Sequence, residues 1–134
     1  MTKLIEIYNI SNDIRRIKLG QEASLDVNSL SGYKIEDQIL FGSNEWFDNI
    51  KTGKIKKHLV TGIISKVYVS GHNDYPEFVI DNNEGSTTWP RLGNDDAYKV
   101  GKKIELVFVE QKYKRPSDIT GTISKSIIQV RIEV

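Results

Sequence analysis

Runs of apolar and strand-forming residues alternate with turn residues throughout the second half of the chain. From Leu59 onward, five such runs are separated by clusters containing glycine, proline or asparagine. Their approximate bounds are residues 59–69, 76–81, 86–89, 102–113 and 124–134. The second and third runs are joined by Asp81-Asn82-Asn83-Glu84-Gly85, a sequence typical of a hairpin connection. This pattern predicts an antiparallel arrangement of five strands.

The last run has the most regular alternation. Ile128, Val130, Ile132 and Val134 occupy every second position, and polar residues occupy the positions between them. Because successive side chains of a strand point to opposite faces of the sheet, these four residues are predicted to share one face. The sequence therefore predicts a half-buried strand with this face directed to the core.

The first 42 residues are interpreted as a β-rich extension of the main sheet. Residues 4–8 are rich in strand formers and are followed by a plausible turn. Residues 14–19 are ambiguous, because their apolar residues fit both the spacing of a helix and the alternation of a strand. We favour a strand there, and we predict a further short strand at residues 24–27.

A short amphipathic helix is predicted over residues 43–52. Ser43 is a good N-cap, since its hydroxyl can accept a hydrogen bond from a free backbone N–H of the first turn. Trp46, Phe47 and Ile50 fall on one face at three- and four-residue spacing. We interpret this face as packing against the sheet, and the alternative is an exposed aromatic binding patch.

The order of these elements resembles the oligonucleotide/oligosaccharide-binding (OB) barrel over residues 59–134. The residues that carry the resemblance are Val60-x-Gly62-x-Ile64-x-x-Val67, Phe78-x-Ile80-Asp81-x-x-x-Gly85 and Val100-Gly101-Lys102-x-Ile104. They occupy the places where such barrels have core residues, bends and turns, and a glycine inside the long first strand permits sharp coiling. The resemblance implies a small antiparallel β-barrel. A β-sandwich, or another small barrel that includes the N-terminal strands, is the alternative.

Composition fits one ordinary globular domain. The chain has 134 residues, of which 38% are hydrophobic and 28% are charged. We predict a single, mainly β domain over residues 1–134, with a β-rich part at 1–42, the helix at 43–53 and the barrel-like core at 57–134. The sequence contains no cysteine, which excludes disulfides and thiolate metal sites. It shows no export signal and no apolar run of ~20 residues, so we expect a cytoplasmic protein.

Residue patterns of catalysis or metal binding are missing from the sequence. His58 and His72 stand apart, and neither belongs to a known metal-binding or nucleophile motif. His72, Asn73 and Asp74 share one loop, but such residues are typical of loops in general. We therefore predict no catalytic residue, no metal site and no cofactor.

The OB resemblance implies a ligand-binding face on the second and third strands, flanked by the loops at residues 70–75 and 114–123. Aromatic rings and cations are interleaved around that face, and they supply the candidate ligand-binding residues Tyr75, Trp89, Arg91, Tyr113, Lys114 and Arg115. Such side chains serve both in stacking on single-stranded nucleic acid and in protein interfaces. Alternatively, Trp89 and Tyr113 belong partly to the core.

Charge decides between these two kinds of partner. The formal net charge is only +1, and four acidic residues lie beside the predicted face, namely Asp74, Glu77, Asp81 and Glu84. Because affinity for nucleic acid depends mainly on neutralising phosphates, this surface favours a protein partner. We predict a non-enzymatic module that binds another protein. A weak binder of single-stranded nucleic acid is the second interpretation, a small enzyme is the third, and no membrane partner is predicted.

Overall fold

The computed structural model describes residues 3–71, 75–117 and 121–134 of the chain. Among these residues, six strands and two helices follow one another. They are β1 (Leu4–Asn9), α1 (Ile14–Leu25), α2 (Asn44–Thr52), β2 (His58–Val69), β3 (Pro76–Asn82), β4 (Gly85–Pro90), β5 (Lys103–Ser117) and β6 (Gly121–Glu133). Single 3₁₀ turns occur at Ile10–Asn12 and Asp95–Ala97.

The six strands form one sheet in the order β1-β6-β5-β2-β3-β4. The pairs β1/β6, β2/β3 and β3/β4 are antiparallel. The mainly β class and the five predicted strands are therefore confirmed, although β5 and β6 extend further into the predicted loop at 114–123. Within the described residues β1 and β4 are the two edges of this sheet, so closure into an OB-like barrel stays a prediction.

The predicted strands at residues 14–19 and 24–27 are wrong, because α1 covers the first and ends within the second. Asp13 caps this helix: its carboxylate accepts a hydrogen bond from the backbone N–H of Arg16 at 3.1 Å. The Arg16 guanidinium in turn donates to the carbonyl of Ile127 at 2.5 Å. The β-rich character predicted for residues 1–42 therefore reduces, in the described part, to β1 and two isolated bridges, one from Tyr33 to Tyr113 and one from Glu36 to Ile39.

The predicted helix over residues 43–52 is confirmed as α2. The Ser43 hydroxyl accepts a hydrogen bond from the Trp46 N–H at 3.2 Å, and Gly53 ends the helix in the left-handed conformation with φ of 88°. Trp46 and Ile50 are buried, as the spacing predicts. The apolar face of α2 is thus part of the core.

The chain divides into two compact units. Unit 1 comprises Met1–Asn9, Leu59–Val107 and Gln129–Val134, and unit 2 comprises Ile10–His58 and Phe108–Ile128. The strands β5 and β6 contribute residues to both units. The buried apolar residues of unit 1 are Tyr8, Ile64, Phe78, Ile80, Trp89, Tyr98, Ile104, Leu106, Val130 and Ile132. Those of unit 2 are Ile10, Phe41, Trp46, Ile50, Phe108, Val109 and Ile127.

The strand β6 keeps the predicted alternation at Val130 and Ile132, which are 0% and 1% exposed. The prediction is wrong for Val134, which is 66% exposed. Toward the start of the strand the buried positions shift by one residue. There Ile127 is 2% exposed, whereas Ile128 is only partly buried. This change occurs where β6 passes along the chain from unit 2 to unit 1.

Gly93 brings the chain after β4 against β1. A Cβ atom at Gly93 would lie 2.1 Å from the carbonyl oxygen of Ile7, and the backbone has φ of 76°. Gly93→Ala is therefore expected to lower the free energy of unfolding by at least about 2 kcal/mol, because left-handed strain adds to a backbone clash.

Gly101 provides the matched control for this substitution. Its φ is 93°, but a Cβ atom there would meet nothing within 4 Å. Gly101→Ala should therefore show the strain cost alone, about 1–2 kcal/mol. Urea denaturation of both variants measures the difference, and equal losses would show that Gly93 is needed for its conformation and not for its close approach to β1.

Candidate functional site

The six predicted ligand-binding residues divide equally between the two units. Unit 1 contains Tyr75, Trp89 and Arg91, whereas unit 2 contains Tyr113, Lys114 and Arg115. The three residues of unit 2 are consecutive in β5. The structure therefore presents two groups of three, and each group has its own surroundings.

In the unit 1 group, the side chains of Trp89 and Arg91 are largely enclosed. Trp89 is 4% exposed, and its ring belongs to the core. The Arg91 side chain is 10% exposed, and it donates to the Tyr68 carbonyl at 3.0 Å and pairs with Asp95 at 3.1 Å. Tyr75 is 52% exposed. Of this group, Tyr75 thus offers the most surface to a partner.

In the unit 2 group, the two cations donate to backbone carbonyls at the end of α1 and in the loop that follows it. The Lys114 ammonium donates to the carbonyls of Ala23 and Asp26, at 2.5 and 2.7 Å. The Arg115 guanidinium donates to the carbonyl of Val27 at 3.1 Å. Because the last carbonyls of a helix have no partner within the helix, cations at this end are favourable. Lys114 and Arg115 therefore fix the conformation of the chain that follows α1.

Tyr113 belongs to a row of five aromatic rings within unit 2. Its ring stacks on Tyr33 with a centroid distance of 6.0 Å, and Tyr33 lies 4.8 Å from Phe41. Phe41 lies 4.8 Å from Trp46, and Trp46 lies 5.0 Å from Phe47. Aromatic pairs at such distances stabilise each other beyond their area of burial. Since Tyr33 and Phe41 belong to the segment between α1 and α2, the row joins that segment to β5 and to α2.

Three exposed apolar side chains lie at the end of α1 and at the start of the segment that follows it. Leu25 is 61% exposed, Val27 is 79% exposed and Leu30 is 78% exposed. We call these three residues the loop patch. Sequence reasoning missed it, because Asp26 and Asn28 between the apolar residues gave the pattern of a short strand followed by a loop. The signal that could have found it is the presence of large apolar residues inside a turn-forming sequence.

A cleft of about 580 Å³ also lies in unit 2. Its lining combines the apolar residues Ile39, Trp46 and Ile55 with the carboxylates of Glu36, Asp37, Glu45 and Glu110 and the ammonium groups of Lys34, Lys54 and Lys112. The Trp46 indole donates to Gln111, another lining residue, at 3.1 Å. Charges of both signs over an apolar floor suit a polypeptide better than a polyanion.

One ion pair and one histidine contact already engage two carboxylates of this cleft. Lys112 pairs with Glu36 at 3.2 Å, and His58 lies 3.2 Å from Glu110. The His58 ring also stacks on Phe108 at a centroid distance of 4.9 Å. These contacts place His58 in a packed, paired position, and it therefore resembles a structural side chain more than a catalytic base.

The rim of the cleft carries a strained turn. Asp37 and Gln38 have φ of 53° and 62°, and the Ile39 N–H donates to the Glu36 carbonyl at 2.9 Å. Two successive residues other than glycine in the left-handed region cost about 1–2 kcal/mol each. Strain of this kind concentrates at binding sites and persists where the surroundings hold it. The turn therefore marks this side of unit 2 as a candidate recognition site.

Burial raises two tyrosine pKa values in unit 1. The pKa of Tyr98 is raised to about 12, and its hydroxyl donates to the Leu92 carbonyl at 2.7 Å. The pKa of Tyr68 is raised by burial and by the nearby Glu77 carboxylate, which accepts its hydroxyl at 3.1 Å. Both hydroxyls thus stay neutral donors at physiological pH, and neither acts as a general base there.

Metal-binding clusters and membrane-spanning helices are both absent from the described part of the chain. No group of three or more histidine, aspartate or glutamate side chains there could hold a metal ion. No helix there is long and apolar enough to cross a membrane. The predicted loop cluster of His72, Asn73 and Asp74 lies outside the described residues.

A family model described as immunity protein RhsI2 matches residues 3–134, which include all of unit 2, unit 1 from residue 3 onward, and the six strands and two helices. A search among curated proteins gave no match.

Proposed function

The chain belongs to the immunity protein RhsI2 family, and we propose that it binds a toxin protein and blocks the toxin's activity. The observation that carries this proposal is the family match over residues 3–134. The family gives the chain a protein-binding role, which agrees at that level with the predicted module that binds another protein. The toxin as partner and inhibition as the result of binding are the finer parts of the proposal.

We assign toxin binding to unit 2. It contains the loop patch, the cleft and the strained turn at Asp37 and Gln38. Exposed apolar residues and recesses with an apolar floor are both typical of protein interfaces. Exposed Tyr75 lies in unit 1 and is not needed for this assignment.

Inhibition by binding requires a surface that is complementary to the toxin and does not require a reactive group. The contacts of the cleft fit this requirement, since Glu36 pairs with Lys112 and the Trp46 indole donates to Gln111. Side chains held in this way lose little further conformational freedom on binding, which favours affinity. The proposal therefore describes a non-enzymatic inhibitor.

The proposal is tested by capture followed by rescue. The tagged chain is used to isolate bound proteins from the cells that produce it, and mass spectrometry identifies them. Each captured protein is then expressed in a bacterial host, alone and together with this chain. We expect one captured protein to arrest growth when expressed alone, and co-expression to restore growth because the two proteins form a stable complex.

A folding-deficient variant of this chain provides the control, and it should not restore growth. The expected complex should also elute as a single species in size-exclusion chromatography. The proposal fails if no captured protein arrests growth. It also fails if growth arrest persists when the folded chain is present at equal or higher abundance.

A further inference from the structure

The loop patch is held in place by contacts that lie outside the patch itself. The Ser24 hydroxyl, 6% exposed, donates to the Gly20 carbonyl at 2.6 Å and accepts from the Tyr33 N–H at 2.9 Å. Through these two hydrogen bonds, Ser24 joins the last turns of α1 to Tyr33 and so brings the two ends of the intervening segment together. Within the segment, the Asn28 N–H donates to the Asp26 carboxylate at 2.9 Å, which forms a local turn.

Gly32 and the two cations of β5 complete this support. A Cβ atom at Gly32 would lie 2.6 Å from the Ala23 backbone, and φ is 105°, so the chain packs there more closely than another residue allows. Lys114 and Arg115 bind the carbonyls that precede and begin the loop. The apolar side chains of the patch are therefore presented to solvent by an ordered backbone. Such pre-organisation lowers the entropy that is lost when a partner binds.

Two cations of β5 lie against the loop that carries the patch. Among the described residues neither Lys114 nor Arg115 forms an ion pair with a carboxylate, since their acceptors are backbone carbonyls. The segment 25–32 contains one acidic residue, Asp26. Two cations thus face one carboxylate beside three apolar side chains. A complementary partner surface is apolar with an acidic rim.

A membrane surface fits these contacts less well than a protein does. Stable binding to anionic lipid takes a cluster of several cations beside a broad apolar face. The structure places two cations beside the patch, Lys114 and Arg115, and both are held by backbone carbonyls of the loop. The apolar area is also limited to three side chains held in a turn, which suits insertion into a pocket of matching shape.

We infer that Leu25, Val27 and Leu30 anchor the toxin, and that the toxin presents to them an apolar pocket rimmed by carboxylates. This inference rests on the proposed function, because it names the surface and the chemistry of that same partner. Lys114 and Arg115 are positioning residues in this arrangement. They hold the loop, and their charges select a partner with an acidic rim.

The first test measures affinity for the growth-arresting protein captured above, by isothermal titration calorimetry. In the double variant V27S/L30S we expect binding at least about tenfold weaker, because anchors buried at the centre of an interface dominate its affinity. The unfolding midpoint should stay unchanged, since both side chains are exposed. The matched control is L59S/V100S, which alters residues in unit 1 that are 62% and 65% exposed and should leave the affinity unchanged.

Salt dependence tests the acidic rim. Affinity of the original chain should fall as salt rises, since charges of opposite sign attract less strongly when they are screened. Arg115→Gln should flatten this dependence, whereas Lys51→Gln, at an exposed position of α2, should leave it unchanged.

A second test does not require the toxin. The ¹⁵N-labelled chain is titrated with a synthetic peptide of alternating leucine and glutamate, and separately with its leucine–lysine counterpart. We expect amide shifts at Val27, Leu30 and Arg115 with the acidic peptide and none with the basic one. Vesicles of phosphatidylglycerol should not bind the chain. Vesicle binding that V27S/L30S abolishes would overturn the inference in favour of a lipid partner.

The outcomes separate the two proposals. If the toxin is captured and V27S/L30S binds it as tightly as the original chain does, the patch is not the anchor, and the proposed function stands. If no captured protein arrests growth, the proposed function fails. The peptide titration then decides alone whether the patch recognises an acidic, apolar polypeptide.

Discussion

Val130→Asp is expected to abolish folding or to lower the free energy of unfolding by more than about 4 kcal/mol. Val130 is 0% exposed in β6 and pairs with Tyr8 of β1. A carboxylate at this position would lose its hydration without gaining a partner, and burial of an unpaired charge is among the most destabilising changes known. Thermal unfolding followed by circular dichroism measures the effect.

Val134→Asp is the matched control, because it makes the same change in the same segment. Val134 is 66% exposed, so its carboxylate stays in water and the free energy of unfolding should change by less than about 0.5 kcal/mol. The sequence alone predicts large losses for both variants, since both positions belong to the same alternating pattern. Equal losses would therefore contradict the structure and support the simple alternation.

Trp46→Ala is expected to cost about 3–5 kcal/mol, because it removes a large buried ring. Trp46 is 1% exposed, it packs edge-on against Phe41 and Phe47, and its indole donates to Gln111. The variant would lose the centre of the aromatic row and the floor of the cleft together. Urea denaturation measures the loss of stability.

Two further variants define the origin of this effect. Asp48→Ala changes an exposed residue of the same helix and should alter stability by less than about 0.5 kcal/mol. Trp46→Phe keeps a ring but not the indole N–H, so its cost should fall between those of the other two variants. Unchanged stability in Trp46→Ala would mean that the ring is not part of the core, and the interpretation as an exposed binding patch would gain support.

Local signals account for the elements that the sequence predicts correctly. The strands β2, β3 and β4 follow from apolar runs bounded by turn residues, and α2 follows from the Ser43 cap and the spacing of its apolar face. In each case the residues that determine the element lie within it or directly beside it. These elements could therefore be predicted from residues that are close together in the sequence.

Helix α1 shows why other elements could not be predicted. Its sequence is compatible with helix and strand, and Asp13 was an available cap signal that sequence reasoning did not use. The decisive contacts are distant in sequence: Arg16 binds the Ile127 carbonyl, and Phe41 lies over Gly20. Such packing determines secondary structure where local propensity is balanced.

The candidate site was predicted from residue type. Residue type alone does not show which acceptor a lysine or arginine side chain donates to in the folded protein. Lys114 and Arg115 were chosen as ligand-binding cations, whereas the structure shows both donating to carbonyls that lie 88 or more residues away. Whether they also contact a ligand stays a prediction. The cytoplasmic location and the weak binding of nucleic acid also stay predictions.

Synthesis on the ribosome delays the folding of this chain, because paired strands lie far apart in the sequence. Strand β1 pairs with β6, from Leu4 with Glu133 to Asn9 with Gln129, so the first strand made waits for the last. Unit 2 also requires residues 108–128 before it is complete. A nascent chain that stops before β6 thus lacks part of both units, and contacts so distant in sequence form slowly. Neither unit can therefore complete its packing until synthesis has reached β6, which places the folding of both units late in the synthesis of the chain.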